Sequence, residues 1–122
     1  MIEDNIIHIF RGDAKTIRVY DIMDADGEPY ALQPGDTLTL TVREVPDPDK
    51  YPALLEASSG NEYIFLSGEA TAKLPAGKYS YDVQLTTAGG EPHTLIPDDP
   101  KLGRATNWKN FWVEGEVTRG IR

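Results

Sequence analysis

Between Leu74 and Leu85 the chain reads LPAGKYSYDVQL, and its second half admits few conformations. Tyr79, Tyr81, Val83 and Leu85 alternate with Lys78, Ser80, Asp82 and Gln84, a two-residue period that puts one set on a core and the other toward water only in a strand. Pro75 and Gly77 suit the second and fourth positions of a type I turn, so the strand is entered through a turn. The rest of the chain reads as further strands that cover this apolar face.

The same period recurs at Leu38, Leu40 and Val42, which interleave with Thr37, Thr39, Thr41 and Arg43 after the turn Gln33-Pro34-Gly35-Asp36. Residues 5–10 carry apolar side chains on both sides, Ile7 and Ile9 against Ile6, His8 and Phe10. That pattern predicts a strand covered on both faces or lying against a neighbouring subunit. Arg11-Gly12-Asp13 breaks the run, and a strand over 16–22 with Ile17 and Val19 inward is expected to complete a first hairpin. Asp24-Ala25-Asp26-Gly27-Glu28-Pro29 is a turn by composition. Pro46, Pro48 and Pro52 lack the N–H that a central strand needs, so residues 45–51 read as an exposed loop. Leu54, Leu55 and Ala57 suggest a short strand, Ser58 to Asn61 a turn, and Tyr63 to Leu66 another strand. One helical turn is expected at 69–73. Ala88-Gly89-Gly90 closes a hairpin whose return strand is 93–96. Residues 101–107 read as a surface loop, and Phe111, Val113 and Val117 alternate with Trp112, Glu114 and Glu116 in a last strand. Seven to nine short strands with frequent turns predict an all-β chain, an antiparallel β-sandwich.

The length of 122 residues suits a single domain spanning 1–122. Twenty acidic residues against twelve Lys and Arg give a net charge of −8, which repels phosphate backbones, so no nucleic-acid partner is expected. The absence of cysteine removes disulfides and thiolate chemistry from consideration. The opening MIEDNIIHIF carries acids where a secretory leader needs bases, and no run reaches the roughly twenty apolar residues of a membrane span. The expectation is a protein made in the cytosol, kept there or assembled from there into a larger particle.

Candidate chemistry is sparse. Asp24-x-Asp26-Gly27 echoes a calcium loop, but aligning the glycine puts Ile22 at the first ligand position and Gln33 where the bidentate Glu belongs, so an acidic turn is the better reading. Arg11-Gly12-Asp13 spells an integrin-binding tripeptide, yet Gly12-Asp13 and Gly35-Asp36 both precede a strand, and turn chemistry explains both. His8 and His93 stand near no nucleophile motif, no G-x-S-x-G occurs, and nothing singles out a carboxylate pair. No catalytic, cofactor-binding or metal-binding residue is assigned, and no cofactor is expected. Tyr79 and Tyr81 share the inward face and read as core. Trp108 lies next to a predicted loop, and Trp112 falls on the opposite face from Phe111 and Val113. With His8 and Phe10, these two tryptophans form the candidate interface set, since Trp is enriched where interfaces concentrate binding energy.

The order of these motifs resembles the immunoglobulin-like amino-terminal domain of phage baseplate upper proteins and related prophage tail structural proteins. The resemblance rests on Gly12-Asp13, on Gly35-Asp36-Thr37-Leu38-Thr39-Leu40-Thr41-Val42, on Leu74-Pro75-Ala76-Gly77-Lys78-Tyr79-Ser80-Tyr81-Asp82-Val83, on Gly89-Gly90 with Thr94-Leu95-Ile96, and on Phe111-Trp112-Val113 with Glu116-Val117-Thr118. It spans nearly the whole chain and departs at the polar insertion from Pro97 to Asn107. It implies an immunoglobulin-like sandwich in the virion, a homo-oligomer docking to other virion or tail proteins without catalysis. A carbohydrate-binding or adhesion module on a similar scaffold is the alternative.

Overall fold

The computed structural model describes residues 6–24, 26–44, 52–96 and 109–115. At its centre runs β6 (Gly77–Thr86), the strand that the sequence marks most clearly. β3 (Thr37–Arg43) lies antiparallel along one edge of it, with Leu40 opposite Val83. β7 (Pro92–Ile96) and β8 (Phe111–Glu114) follow one another along the other edge, β7 beside residues 83–86 and β8 beside residues 77–79. Both run antiparallel to β6, so they share one strand position, interrupted between Ile96 and Lys109. β1 (Ile7–Phe10) pairs with β8, and β4 (Leu55–Ser59) with β3, giving the order β1-β8-β6-β3-β4. β2 (Lys15–Arg18) and β5 (Tyr63–Leu66) form the second sheet. Among these pairings β1 with β8 is parallel and the others are antiparallel.

The core lies between the sheets. Ile7, Ile9, Leu38, Leu40, Val42, Tyr81, Val83, Leu85, Phe111 and Val113 meet Ile17, Val19, Ile64 and Leu66. Full burial of each aliphatic or Phe side chain among these contributes about 1.5–3 kcal/mol, which is how a chain without disulfides holds two layers together. The expected all-β sandwich is therefore what forms, and its apolar residues face inward with the predicted period.

Three local expectations are corrected. The first hairpin does not form, because β1 and β2 belong to different sheets. Gly12, with φ 90°, turns the chain away, and the Asp13 N–H returns to the Phe10 carbonyl at 3.0 Å. The turn rests on a short helix, α1 (Gly68–Ala72), capped by Ser67. From it the buried Thr71 hydroxyl accepts from Gly12 N at 3.1 Å and donates to Asp13 O at 2.8 Å. Second, Ser80 does not face water but is buried, and Asp82 is half-buried. Both sit on the central strand, where Arg43 from β3 reaches over to donate to Asp82 at 3.0 Å. Third, the strand expected over 16–22 is regular only as far as Arg18, although Val19 N still bonds Glu62 O at 2.8 Å. The loops at 45–51 and 101–107, the end of the last strand at Val117, and Trp108 lie outside the described residues.

Candidate interaction face

β1 is an outermost strand of the larger sheet. Its alternation sends Ile7 and Ile9 into the core and leaves His8 and Phe10 on the outer face. His8 stands opposite Trp112 in the β1–β8 register, and Trp112 opposite Lys78 in the β6–β8 register, so three side chains line up across three strands. The His8 and Trp112 ring centroids are 4.4 Å apart, and Lys78 Nζ lies 4.1 Å from the Trp112 ring centroid. An exposed cation over an indole contributes about 0.5–1 kcal/mol. Trp112 Nε1 donates to the Lys109 carbonyl at 2.9 Å, which fixes the ring, and His8 Nδ1 lies 4.0 Å from Glu114 Oε1. Phe10, opposite Glu114, keeps 47% of its surface exposed.

Main-chain directions define the rest of this face. Ile7 N donates to Asn110 O at 2.9 Å and Arg11 N to Glu114 O at 2.8 Å. Successive residues of a strand point their amides to alternate sides, so the N–H groups of His8 and Phe10 face away from β8. Among the described residues no strand pairs with that edge. Three of the four residues singled out from the sequence, His8, Phe10 and Trp112, thus come together at one sheet edge.

Other motifs are absorbed by turns. Arg11 Nε donates to the Leu74 carbonyl at 3.1 Å, which ties the Arg-Gly-Asp tripeptide to the segment after α1. Asp24 Oδ1 accepts from Asp26 N at 2.9 Å and Glu28 N at 3.0 Å, the bonding of an acidic turn. Among the described residues no three His, Asp or Glu side chains gather closely enough to hold a metal ion. His93 lies 3.7 Å from Glu91 and lines an open groove of about 440 Å³ with Asp24, Tyr30 and Leu95. No helix among the described residues is long and apolar enough to cross a membrane.

Two features escaped the sequence reading. Tyr63 and Phe65, exposed at 50% and 61%, stand two residues apart on the outer face of β5. The run Tyr63-Ile64-Phe65-Leu66 is apolar on both sides, the same signal that marked β1. Asn110, fully buried before β8, left no signal because a lone Asn beside a strand resembles any turn residue.

These features define a class: an all-β sandwich presenting an aromatic and cationic face beside a sheet edge that no strand among the described residues pairs. Comparison with protein-family models, curated proteins and solved structures returned no match to this chain.

Proposed function

We propose that this chain is a non-catalytic structural domain of a phage or prophage tail or baseplate, with an immunoglobulin-like sandwich, docking to other virion proteins and to copies of itself. The supporting observation is the row His8, Trp112 and Lys78 beside the exposed Phe10 and the edge of β1, which no strand among the described residues pairs. Aromatic residues next to unpaired strand groups are the usual material of strand-edge contacts. The order of turn and strand motifs supports the virion context, and the net charge of −8 keeps free subunits soluble before assembly. Co-expression with the products of the flanking genes tests it. The wild type is expected to co-elute with one of them in gel filtration, and Phe10→Asp to elute alone. A wild type that elutes alone with every flanking product would contradict the reading.

The carbohydrate-binding alternative draws on Tyr63 and Phe65, two exposed aromatic side chains on the same face of β5 in the second sheet. A glycan array separates the two readings: binding that Tyr63→Ala abolishes favours the alternative, and a blank array removes it.

A further inference from the structure

We propose that the edge of β1, which no strand among the described residues pairs, takes β1 of a second copy, antiparallel, with His8 opposite His8 across a twofold axis. This rests on the attachment reading above and names one partner for the same face. The outward main-chain groups belong to Ile6, His8 and Phe10, and the register centred on His8 is the one that pairs all three within the strand. Centred on His8, the two strands exchange reciprocal N–H···O bonds between the histidines, and each Phe10 N–H meets the Ile6 carbonyl of the other copy. Centred on Phe10, they would run into the Gly12 turn, where Asp13 N–H already holds the Phe10 carbonyl.

The other edges among the described strands carry guards, as natural sheets guard theirs: β2 has Lys15 and Arg18, and β7 begins with Pro92. β4 reads LEASS, with the exposed carboxylate of Glu56. On β5, the Tyr63 N–H is already taken by Asn61 Oδ1 at 2.8 Å. β1 lacks the charge and proline guards, since Ile6 to Phe10 contains no proline, Lys, Arg or carboxylate, and although Asp13 N–H holds its Phe10 carbonyl, the His8 and Phe10 N–H groups still point outward. Charge points to the same place. Two copies of a chain with net charge −8 repel in most orientations, whereas here the neighbouring charges are mixed, Lys78 and Arg11 against Glu114. Pairing of so short a strand buries less than the roughly 800 Å² per partner of a stable interface, so the isolated contact is weak and multiple copies in one particle strengthen it.

The absence of cysteine from the chain makes the test direct. In a hydrogen-bonded antiparallel pair, opposed Cα atoms lie about 5.5 Å apart, within disulfide reach. Under mild oxidation at high protein concentration, His8→Cys is expected to form a covalent dimer much faster than Glu56→Cys or Phe65→Cys. Adding Phe10→Asp to His8→Cys should slow it by about tenfold or more. Circular dichroism confirms that each variant keeps the sheet signal. Equal rates at the three positions, a faster Phe65→Cys, or no dimer from His8→Cys would overturn the pairing. Co-elution of the wild type with a flanking-gene product alongside any of those results leaves the attachment reading standing while this inference fails.

Discussion

The side-chain amide of Asn110 is hydrogen-bonded to both main-chain groups of Tyr81. Oδ1 accepts from Tyr81 N at 2.8 Å, and Nδ2 donates to Tyr81 O at 3.2 Å. Asn110 N also donates to Tyr79 O at 3.0 Å, and its carbonyl accepts from Ile7 N. The residue therefore acts as a strand segment at the point where β7 has ended and β8 has not yet begun. It supplies the hydrogen bonds that the β6 backbone needs between the stretch paired by β7 and the stretch paired by β8.

Replacing Asn110 by Leu tests this directly. Both Tyr81 main-chain groups would lose a partner at a buried site, and a buried group left unsatisfied costs about 1–3 kcal/mol. Urea unfolding is expected to show a loss of about 2–4 kcal/mol with an unchanged slope. A midpoint equal to that of the wild type would mean that the gap closes by other means.

Thr71 joins α1 to the turn between β1 and β2. Thr71→Val keeps the shape but removes the hydroxyl that both Gly12 and Asp13 use, with an expected loss of about 1–3 kcal/mol, while Thr71→Ser should recover most of it. Gly68→Ala is expected to be worse than its helical position suggests, because an added Cβ would lie 2.5 Å from the Gly12 carbonyl oxygen. Thermal melts of the three variants give the ranking.

Asp36 gives the fold an acid-sensitive staple. Its carboxylate accepts from the Tyr30 hydroxyl at 2.6 Å, from Gln33 N at 2.8 Å and from Ala88 N at 3.3 Å. The Tyr30 bond, helped by the two amides, holds its pKa below the ordinary 3.8. A group depressed on folding stabilises fully above its unfolded pKa, and that contribution drains away as pH falls through the folded one. The melting temperature of Asp36→Asn should therefore lie below that of the wild type at neutral pH, and the gap should narrow from about pH 4 downward. Asp82 runs the other way, since burial raises its pKa and Arg43 only partly offsets this, but it is common to both proteins and cancels in the difference. A gap that is constant with pH would refute the staple.

The facing of β3 has an equally simple check. Leu40 is fully buried between Ala57 and Val83, so Leu40→Ala is expected to cost about 2–5 kcal/mol. Among the described residues the Thr39 hydroxyl bonds the exposed Ser58 hydroxyl at 3.0 Å, and Thr39→Ala should stay within about 0.5 kcal/mol. Similar losses in denaturant would reverse the assignment of faces.

What the sequence made readable follows from range. Period-two alternation at Leu38 to Val42 and at Tyr79 to Leu85 is local, so both strands and their inward faces could be read without a partner in view. The turns at Gly35, Gly27 and Gly90 were equally local, and each glycine has φ between 80° and 89°. Pairing is not local. Nothing within residues 5–22 says that β1 will leave β2 and run parallel to a strand a hundred residues away, because that choice is made by Thr71 and by the Phe111 to Glu114 edge. The same holds for the interface set: Trp112 could be assigned its outward face from its neighbours, but its meeting with His8 and Lys78 depends on sheet order. The burial of Ser80 likewise goes with its place on the central strand, opposite Arg43 of β3, which its own alternation does not show.

Attachment through the β1 edge is the claim that binds these observations together, and amide hydrogen exchange reads it most directly. Exchange of the His8 and Phe10 amides, measured in dilute and in concentrated solution of the wild-type protein, is expected to be fast when dilute and protected when concentrated, with Ile7 and Ile9 protected in both. Amides of His8 and Phe10 that exchange at the same fast rate at every concentration, or new protection confined to β4 or β5, would contradict it.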